Sequence, residues 1–248
     1  MESINCFTDR AEYFSKFRPG YPDSIIGLLE KEIGFDEFKD VADIGSGTGM
    51  FSKIFVRNSN ITFGVEPNET MRQKAEKLLG KYFNFISIPG TAENTTLANE
   101  SVDIITIAES FRWFDLEKAK TEFLRILRKD GYCILVYYQL KNDTPFMKEF
   151  NKMLNSLKPR EQSDKKAIDK CIEDFYSPRK AKMKTLNYEQ ELDFAGLKGL
   201  VLSYSIMPLE GELHKSALKN LNDIFDRNNL VGKVTIGYKI KIYFGKIK

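Results

Sequence analysis

Residues 41–51 read Val-Ala-Asp-Ile-Gly-Ser-Gly-Thr-Gly-Met-Phe, with Gly45, Gly47 and Gly49 crowded into five positions behind a short apolar run. Glycine costs backbone entropy on folding, so this density needs a positional reason. The close approach of something to the backbone supplies one. An apolar run, a glycine turn and a helix start together make the first strand-to-helix turn of a parallel sheet. That turn sets backbone N–H groups and a positive dipole end at the carboxyl edge of the strands.

The first half of the chain agrees. Short β-rich runs at 40–45, 61–66, 83–88, 102–108 and 132–138 alternate with helical patterns. Each run is almost continuously apolar, as strands are when helices cover both faces of a sheet. Met71, Ala75, Leu78 and Leu79 follow a 3-4 spacing, as do Leu116, Ala119, Phe123, Ile126 and Leu127. Asn68 and Asp115 suit the N-caps of these two helices, and Gly80 and Gly131 mark where they should stop. Residues 139–197 are polar and lysine-rich and predict helices without a strand. A strand is expected at 200–208, and the alternation over 233–245 predicts a half-exposed antiparallel strand.

Composition narrows the class. With 42% hydrophobic and 29% charged residues, the chain reads as an ordinary soluble globular protein. No apolar run approaches membrane-spanning length, and the opening residues lack a signal-peptide core. Cys6, Cys133 and Cys171 are far apart and odd in number. That argues against a disulfide framework and a zinc site, and fits a reducing cytoplasm. One histidine, His214, excludes histidine-rich metal centres; no metal is expected.

Two cofactor classes use such a loop, and spacing separates them. The dinucleotide fingerprint GxGxxG/A would place its third small residue at position 50, where this chain has Met50. Here the glycines run GxGxG behind Asp43, and Glu66 at the end of the second strand can accept both hydroxyls of a ribose. A nicotinamide-dependent oxidoreductase is therefore the minority reading.

Six motifs now stand in order: D-I-G-S-G-T-G (43–49), G-V-E-P-N (64–68), G-T-A-E-N (90–94), S-V-D-I-I-T (101–106), F-R-W-F-D (111–115) and L-R-I-L-R-K-D-G (124–131). Together they resemble a class I S-adenosylmethionine-dependent methyltransferase, of the type 11 branch that includes ubiquinone/menaquinone-biosynthesis-like enzymes. The resemblance continues loosely in Y-F-S-K-F-R-P-G-Y-P (13–22) and S-Y-S-I-M-P (203–208). It implies an α/β, doubly wound, Rossmann-like sheet of seven mostly parallel strands in the order 3-2-1-4-5-7-6, with strand 7 antiparallel. One methyltransferase domain over 1–248 is expected. Its parts are cofactor-covering helices at 1–39, a cofactor-binding core at 40–138, a helical cap insert at 139–197 and an antiparallel strand pair at 198–248.

By the same resemblance, Gly45, Ser46, Gly47 and Gly49 line the methionine portion of S-adenosylmethionine and Asp43 braces the loop. Glu66 holds the ribose, while Pro67 and Met71 cover the adenine. Thr91 stands where many relatives carry Asp, so Ala92 and Glu93 take over the adenine contact. Glu109 and Ser110 follow strand four, where donor and acceptor should meet, and Tyr13 and Arg18 belong to the segment that folds over the cofactor.

No catalytic acid–base pair is assigned. The sulfonium activates its own methyl group, and transfer needs mostly proximity and orientation. Phe111, Arg112 and Trp113 are the candidate acceptor contacts. Many relatives carry a histidine where this chain has Arg112, and an arginine cannot act as a base near neutral pH. It can grip a carboxylate or phosphate, so a small anionic acceptor is expected; the alternative is a solvent-facing Arg112 paired with Asp115 or Glu117. The A-E-S-F after strand four is neither the N-P-P-Y loop of nucleic-acid amino-methylases nor the Pro-Cys of cytosine methylases. Residues 158–184 hold nine Lys/Arg against five Asp/Glu, which without interleaved aromatics reads as a solvated face rather than a nucleic-acid site. The functional alternative to turnover is a protein that binds S-adenosylmethionine or S-adenosylhomocysteine without catalysis. A cytoplasmic monomer or homodimer is expected.

Overall fold

The computed structural model of the chain describes residues 8–157 and 165–248. Cys6 and the first part of the basic run, including Lys158 and Arg160, lie outside the described residues.

Seven strands form one sheet in the order β3-β2-β1-β4-β5-β7-β6. They are β1 (Val41–Ile44), β2 (Thr62–Val65), β3 (Phe85–Ile88), β4 (Val102–Ala108), β5 (Leu127–Leu140), β6 (Lys182–Leu192) and β7 (Val234–Gly245). The first five pair in parallel, and β7 runs antiparallel to both β5 and β6. The helices are α1 (Ala11–Phe17), α2 (Ser24–Ile33), α3 (Ser52–Arg57), α4 (Glu69–Leu79), α5 (Leu116–Ile126), α6 (Pro145–Ser156), α7 (Lys165–Tyr176), α8 (Phe194–Leu202) and α9 (Glu212–Asn228). None among the described residues is long and apolar enough to cross a membrane.

Strand side chains alternate between two cores. Ile105, Ile107, Cys133 and Leu135 enter one, while Ile104, Ile134, Val136, Ile240 and Ile242 enter the other. Both faces of the central strands are therefore apolar, which produces their unbroken hydrophobic runs. Asn68 caps α4 by accepting the Met71 N–H at 3.0 Å, and Asp115 caps α5 by accepting that of Lys118 at 3.3 Å. Gly80 is the C-cap of α4, as expected, with a right-handed φ of −60°, whereas α5 stops at Ile126, short of Gly131. Gly131 lies inside β5, where a Cβ would sit 2.7 Å from the Asp103 carbonyl oxygen.

The segment after β5 departs further from expectation. Strand six is not at 200–208 but at Lys182–Leu192, inside the stretch read as helical. It pairs with β7 along its whole length, from Lys182 opposite Phe244 to Leu192 opposite Val234. As the edge strand it keeps outward charged residues beside half-buried Leu186, Tyr188, Gln190 and Leu192, and its polarity hid it. Residues 194–202 form α8 instead. Leu197, Leu200 and Val201 are buried, and a short apolar run of this kind carries no periodicity to tell helix from strand.

The expected cap also divides. In α7, Ile172, Phe175 and Tyr176 join the sheet-face core with Phe111 and Phe123, so this helix belongs to the layer flanking the sheet. Helices α6, α8 and α9 instead share a separate core with the start of β7, including Phe150, Leu197, Leu221 and Ile236. α6 follows β5 and α8 follows β6, while β7 enters antiparallel; the chain thus delivers this second core to the carboxyl edge of the parallel strands. α1 docks against it where Phe17 lies over Gly199, so closely that a Cβ there would overlap the ring.

Candidate cofactor site and active site

The loop after β1 is built on three left-handed glycines, with φ of 67° at Gly45, 56° at Gly47 and 77° at Gly49. An L side chain in this region costs about 1–2 kcal/mol, which answers why all three are glycine. What approaches each differs. A Cβ at Gly45 would lie 2.6 Å from the Ser110 Cβ, and one at Gly49 would lie 2.8 Å from the Leu79 Cδ1 and 3.1 Å from the Ala75 Cβ. These two are filled by the protein itself. At Gly47 the nearest atom is the terminal methyl of Met71, 3.6 Å away; only here is space left beside the backbone.

Asp43 lies under the loop and is 1% exposed. Its carboxylate accepts hydrogen bonds from Ser52 Oγ at 2.6 Å and Thr106 Oγ1 at 2.9 Å. It therefore ties β1 to the start of α3 and to β4. Burial pushes its carboxyl up from 3.8 to about 6, against the pull of these hydroxyls. Ser110 adds a bolt by donating to the Ile44 carbonyl at 2.8 Å.

Glu66 faces the loop from the end of β2. One oxygen accepts the Gly47 N–H at 2.9 Å and the other the Asn68 N–H at 2.8 Å. Burial raises its carboxyl above the usual range, opposed by these two amides. Each carboxylate oxygen retains a lone pair, so Glu66 can take a ribose diol without releasing the loop. Pro67 is half-buried and Met71 buried beside it. Asn68 reaches back to the N-terminal segment, its Nδ2 donating to Thr8 Oγ1 at 3.0 Å.

The loop after β3 closes on the end of β2, where a Cβ at Gly90 would lie 3.0 Å from the Val65 side chain. This brings buried Ala92 and half-buried Glu93 to the same edge. Glu93 accepts the Asp115 N–H at 2.8 Å, so one of its oxygens fastens this loop to the start of α5.

After β4 stands Glu109, a non-glycine residue at φ 63°. Residues held in this region cluster at functional sites. Its carboxylate accepts the Tyr138 N–H at 2.5 Å. Burial raises its carboxyl, while the Tyr138 amide and the charges of Arg18 and Arg112 lower it. The carboxylate in turn helps burial to push up the phenol of Tyr21, whose ring lies 5.1 Å from that of Tyr138.

Arg18 sits with its guanidinium 4.3 Å from the centre of the Tyr204 ring and 4.9 Å from that of Phe14. It donates to the Ser203 carbonyl at 3.2 Å, while its Nε is buried without a hydrogen-bond partner. Tyr13 stands with the cap, stacked on Phe17. Phe111 is not a pocket wall: it is 1% exposed, edge-on to Phe175 at 5.1 Å in the sheet-face core. Its alternation with Arg112 decides this, because one side chain of the 3-10 turn must face the core and the next faces out. Arg112 is exposed and makes no ion pair or hydrogen bond among the described residues. Asp115 pairs with Lys118 at 2.8 Å instead. Trp113 beside it is 41% exposed.

Sequence reasoning missed Ser52 and Thr106 as partners of Asp43, and the Tyr21, Tyr138 and Tyr204 surroundings of Glu109 and Arg18. A hydroxyl at the first position of α3 was a readable signal for the first; the others depend on long-range packing.

A glycine loop beneath a strand-end glutamate, on a sheet of this order, defines a class I S-adenosylmethionine-dependent methyltransferase domain. The residues fit that cofactor: Gly47 leaves room beside the backbone, and Glu66 retains two acceptor lone pairs. Residues 42–135 match the family described as "Methyltransferase domain". Among curated relatives, an uncharacterised methyltransferase-like protein of Schizosaccharomyces pombe is 30% identical over 148 residues, 59% of this chain and 56% of that one. CRG1 of Saccharomyces cerevisiae, named as a probable S-adenosylmethionine-dependent methyltransferase, is 30% identical over 51% of this chain and 44% of its own. The chain spans about half the length of the curated relatives it matches. A solved structure of a type II methyltransferase candidate from Anaeromyxobacter dehalogenans shares the fold, with a TM-score of 0.71 at 19% identity over 93% of this chain and 98% of that one.

Proposed function

We propose that the protein methylates a small anionic acceptor, held by Arg112 at the carboxyl edge of the sheet. The observation that carries this reading is the unpaired state of Arg112 among the described residues, two positions past the α-carbon of Ser110, whose hydroxyl is bolted to β1. The charge of Arg112 acts on the Glu109 carboxylate, but its fork, with no ion-pair or hydrogen-bond partner among the described residues, is available to a ligand's carboxylate or phosphate. When bound, S-adenosylmethionine supplies a methyl group already activated by its sulfonium. The chain's own work is then orientation. Gly45, Ser46, Gly47 and Gly49 shape the loop, Glu66 takes the ribose, Met71 and Pro67 with Ala92 and Glu93 border the adenine, and Glu109 and Arg18 stand where the acceptor enters. An acceptor that is already anionic needs no general base, consistent with an arginine in place of a histidine.

The reading is tested in two steps. Glu66→Ala is expected to weaken S-adenosylhomocysteine binding by about 1.5–3 kcal/mol, the scale of hydrogen bonds to a charged group, with the circular dichroism of the sheet retained. Arg112→Lys keeps the charge but loses the two-pronged fork. On an acceptor found by screening a metabolite extract with labelled methyl donor, it should raise acceptor KM and leave S-adenosylhomocysteine affinity unchanged. Equal turnover by the variant and the wild type ends the anionic-acceptor reading.

A further inference from the structure

Opposite the glycine loop, at the amino edge of the parallel strands, large apolar side chains stand in solvent. Phe38 precedes β1, Ile61 precedes β2 and Phe83 precedes β3, and they are 83%, 45% and 100% exposed. No role assigned above uses this edge. The three strands lie side by side in the order β3-β2-β1, so their entry loops are neighbours too.

These loops are braced against one another. Asn60 is buried and donates through Nδ2 to the carbonyls of Asp36 and Lys39, both at 2.8 Å. Buried Asn84 ties in the next loop, donating to the carbonyls of Asn60 at 2.8 Å and Val56 at 2.9 Å. Backbone bonds continue the bracing: the Val41 N–H donates to the Ile61 carbonyl, and the Thr62 N–H to that of Asn84. Two buried amides with their hydrogens satisfied in this way lock three loops into one platform. Phe38, Ile61 and Phe83 are thus held out in water by a rigid scaffold. Exposed apolar residues scattered singly are ordinary, but a group on adjoining loops marks an interaction surface.

The charged flanks point to what covers it. On the β1 side, Asp36 and Glu37 outnumber Lys39, while Asp40 is paired with Arg128. On the β3 side stand Lys81 and, in the last turn of α4, Lys77. Arg57, before Ile61, is paired with Asp23. One end of the platform is therefore acidic and the other basic, with apolar side chains between them. Such a surface complements itself when turned end for end. A two-fold axis normal to the sheet beside Ile61 makes that turn. It sets Phe38 of one copy against Phe83 of the other and Glu37 against Lys81, each contact occurring twice. Area agrees. The two phenylalanines supply roughly 300–450 Å² per copy. That is near half of the ~800 Å² that a stable dimer buries on each side, before Ile61 and the loop backbones are added.

We propose that this platform binds a second copy of the chain, forming an end-to-end dimer with both glycine loops facing outward. The proposal does not depend on the methyl acceptor.

Sedimentation velocity of the full chain, with no ligand added, should show a dimer at roughly micromolar concentration. Phe83→Ser alters a fully exposed side chain, so it should weaken the dimer at least tenfold with the circular dichroism unchanged. Glu37→Lys and Lys81→Glu should each weaken it about fivefold, because each places like charges together at both symmetric contacts. A chain carrying both charge changes should return to within about twofold of wild type, since the pair is restored with its signs exchanged. A chain that stays monomeric at roughly a hundred times that concentration, or a dimer unmoved by Phe83→Ser, overturns the proposal. So does a doubly changed chain that associates no more tightly than the single variants. Flotation of a monomeric chain with phosphatidylcholine vesicles would give the platform to a lipid surface, and overturns it too.

Discussion

Replacing Asp43 by asparagine should stabilise the protein at neutral pH while damaging its site. The carboxylate is 1% exposed and is held by the Ser52 and Thr106 hydroxyls and the Ser52 backbone N–H. Burial raises it from 3.8 to about 6. Between these values the folded chain holds a proton that the unfolded chain has released, so stability rises as pH falls through this window. The contribution is fully present below pH 3.8 and lost above about 6. At 1.36 kcal/mol for each tenfold change, the displacement amounts to about 3 kcal/mol of buried-charge penalty at pH 7.5. Asparagine keeps the shape, and one of the two hydroxyls can reverse its role to accept from the new amide. Asp43→Asn should therefore be more stable than wild type by about 1–3 kcal/mol at pH 7.5, with the gain vanishing near pH 4. Urea denaturation of both proteins at pH 4, 5, 6 and 7.5 measures this. S-adenosylhomocysteine affinity should fall in the variant, the usual exchange of stability for function at a site. A stability difference that does not change with pH refutes the reasoning, because it would mean that the charge of Asp43 is already neutralised.

The glycines separate binding from packing. Gly47→Ala should cost about 1 kcal/mol of stability but at least tenfold in S-adenosylhomocysteine affinity, while Gly49→Ala, whose Cβ would meet Leu79 at 2.8 Å, should lose about 2–4 kcal/mol of stability. Matched stability losses in thermal melts would show that Gly47 is structural too. Glu122 pairs with Arg125 at 2.7 Å and holds Thr95; the Arg125 guanidinium draws its carboxyl down from 4.5 to about 2. Glu122→Gln should therefore cost about 2 kcal/mol above pH 4.5, after allowance for the partly exposed arginine. That cost should fade as pH falls through about 2; a cost that persists at pH 2 would assign the effect to packing.

Local rules carried most of what was legible in the sequence. The GxGxG spacing, the caps at Asn68 and Asp115 and the first five strands each depend on residues close together in the chain, and each appears in the structure at its expected place. So does Glu66, because a strand end and the following loop fix where it stands. What the sequence did not reveal depends on partners far along the chain. Lys182–Leu192 is a strand because β7 pairs with it and solvent takes its other edge, whereas 194–202 is a helix because the second core surrounds it. Phe111 and Arg112 are neighbours with opposite fates, decided by where the Phe175 ring lies. Asp43 reads as a loop brace in the sequence, yet its proton affinity is decided by burial and by Thr106, 63 residues away. Backbone conformation is a property of short stretches, but burial and charge pairing are properties of packed surfaces, and only the tertiary fold decides which surfaces meet.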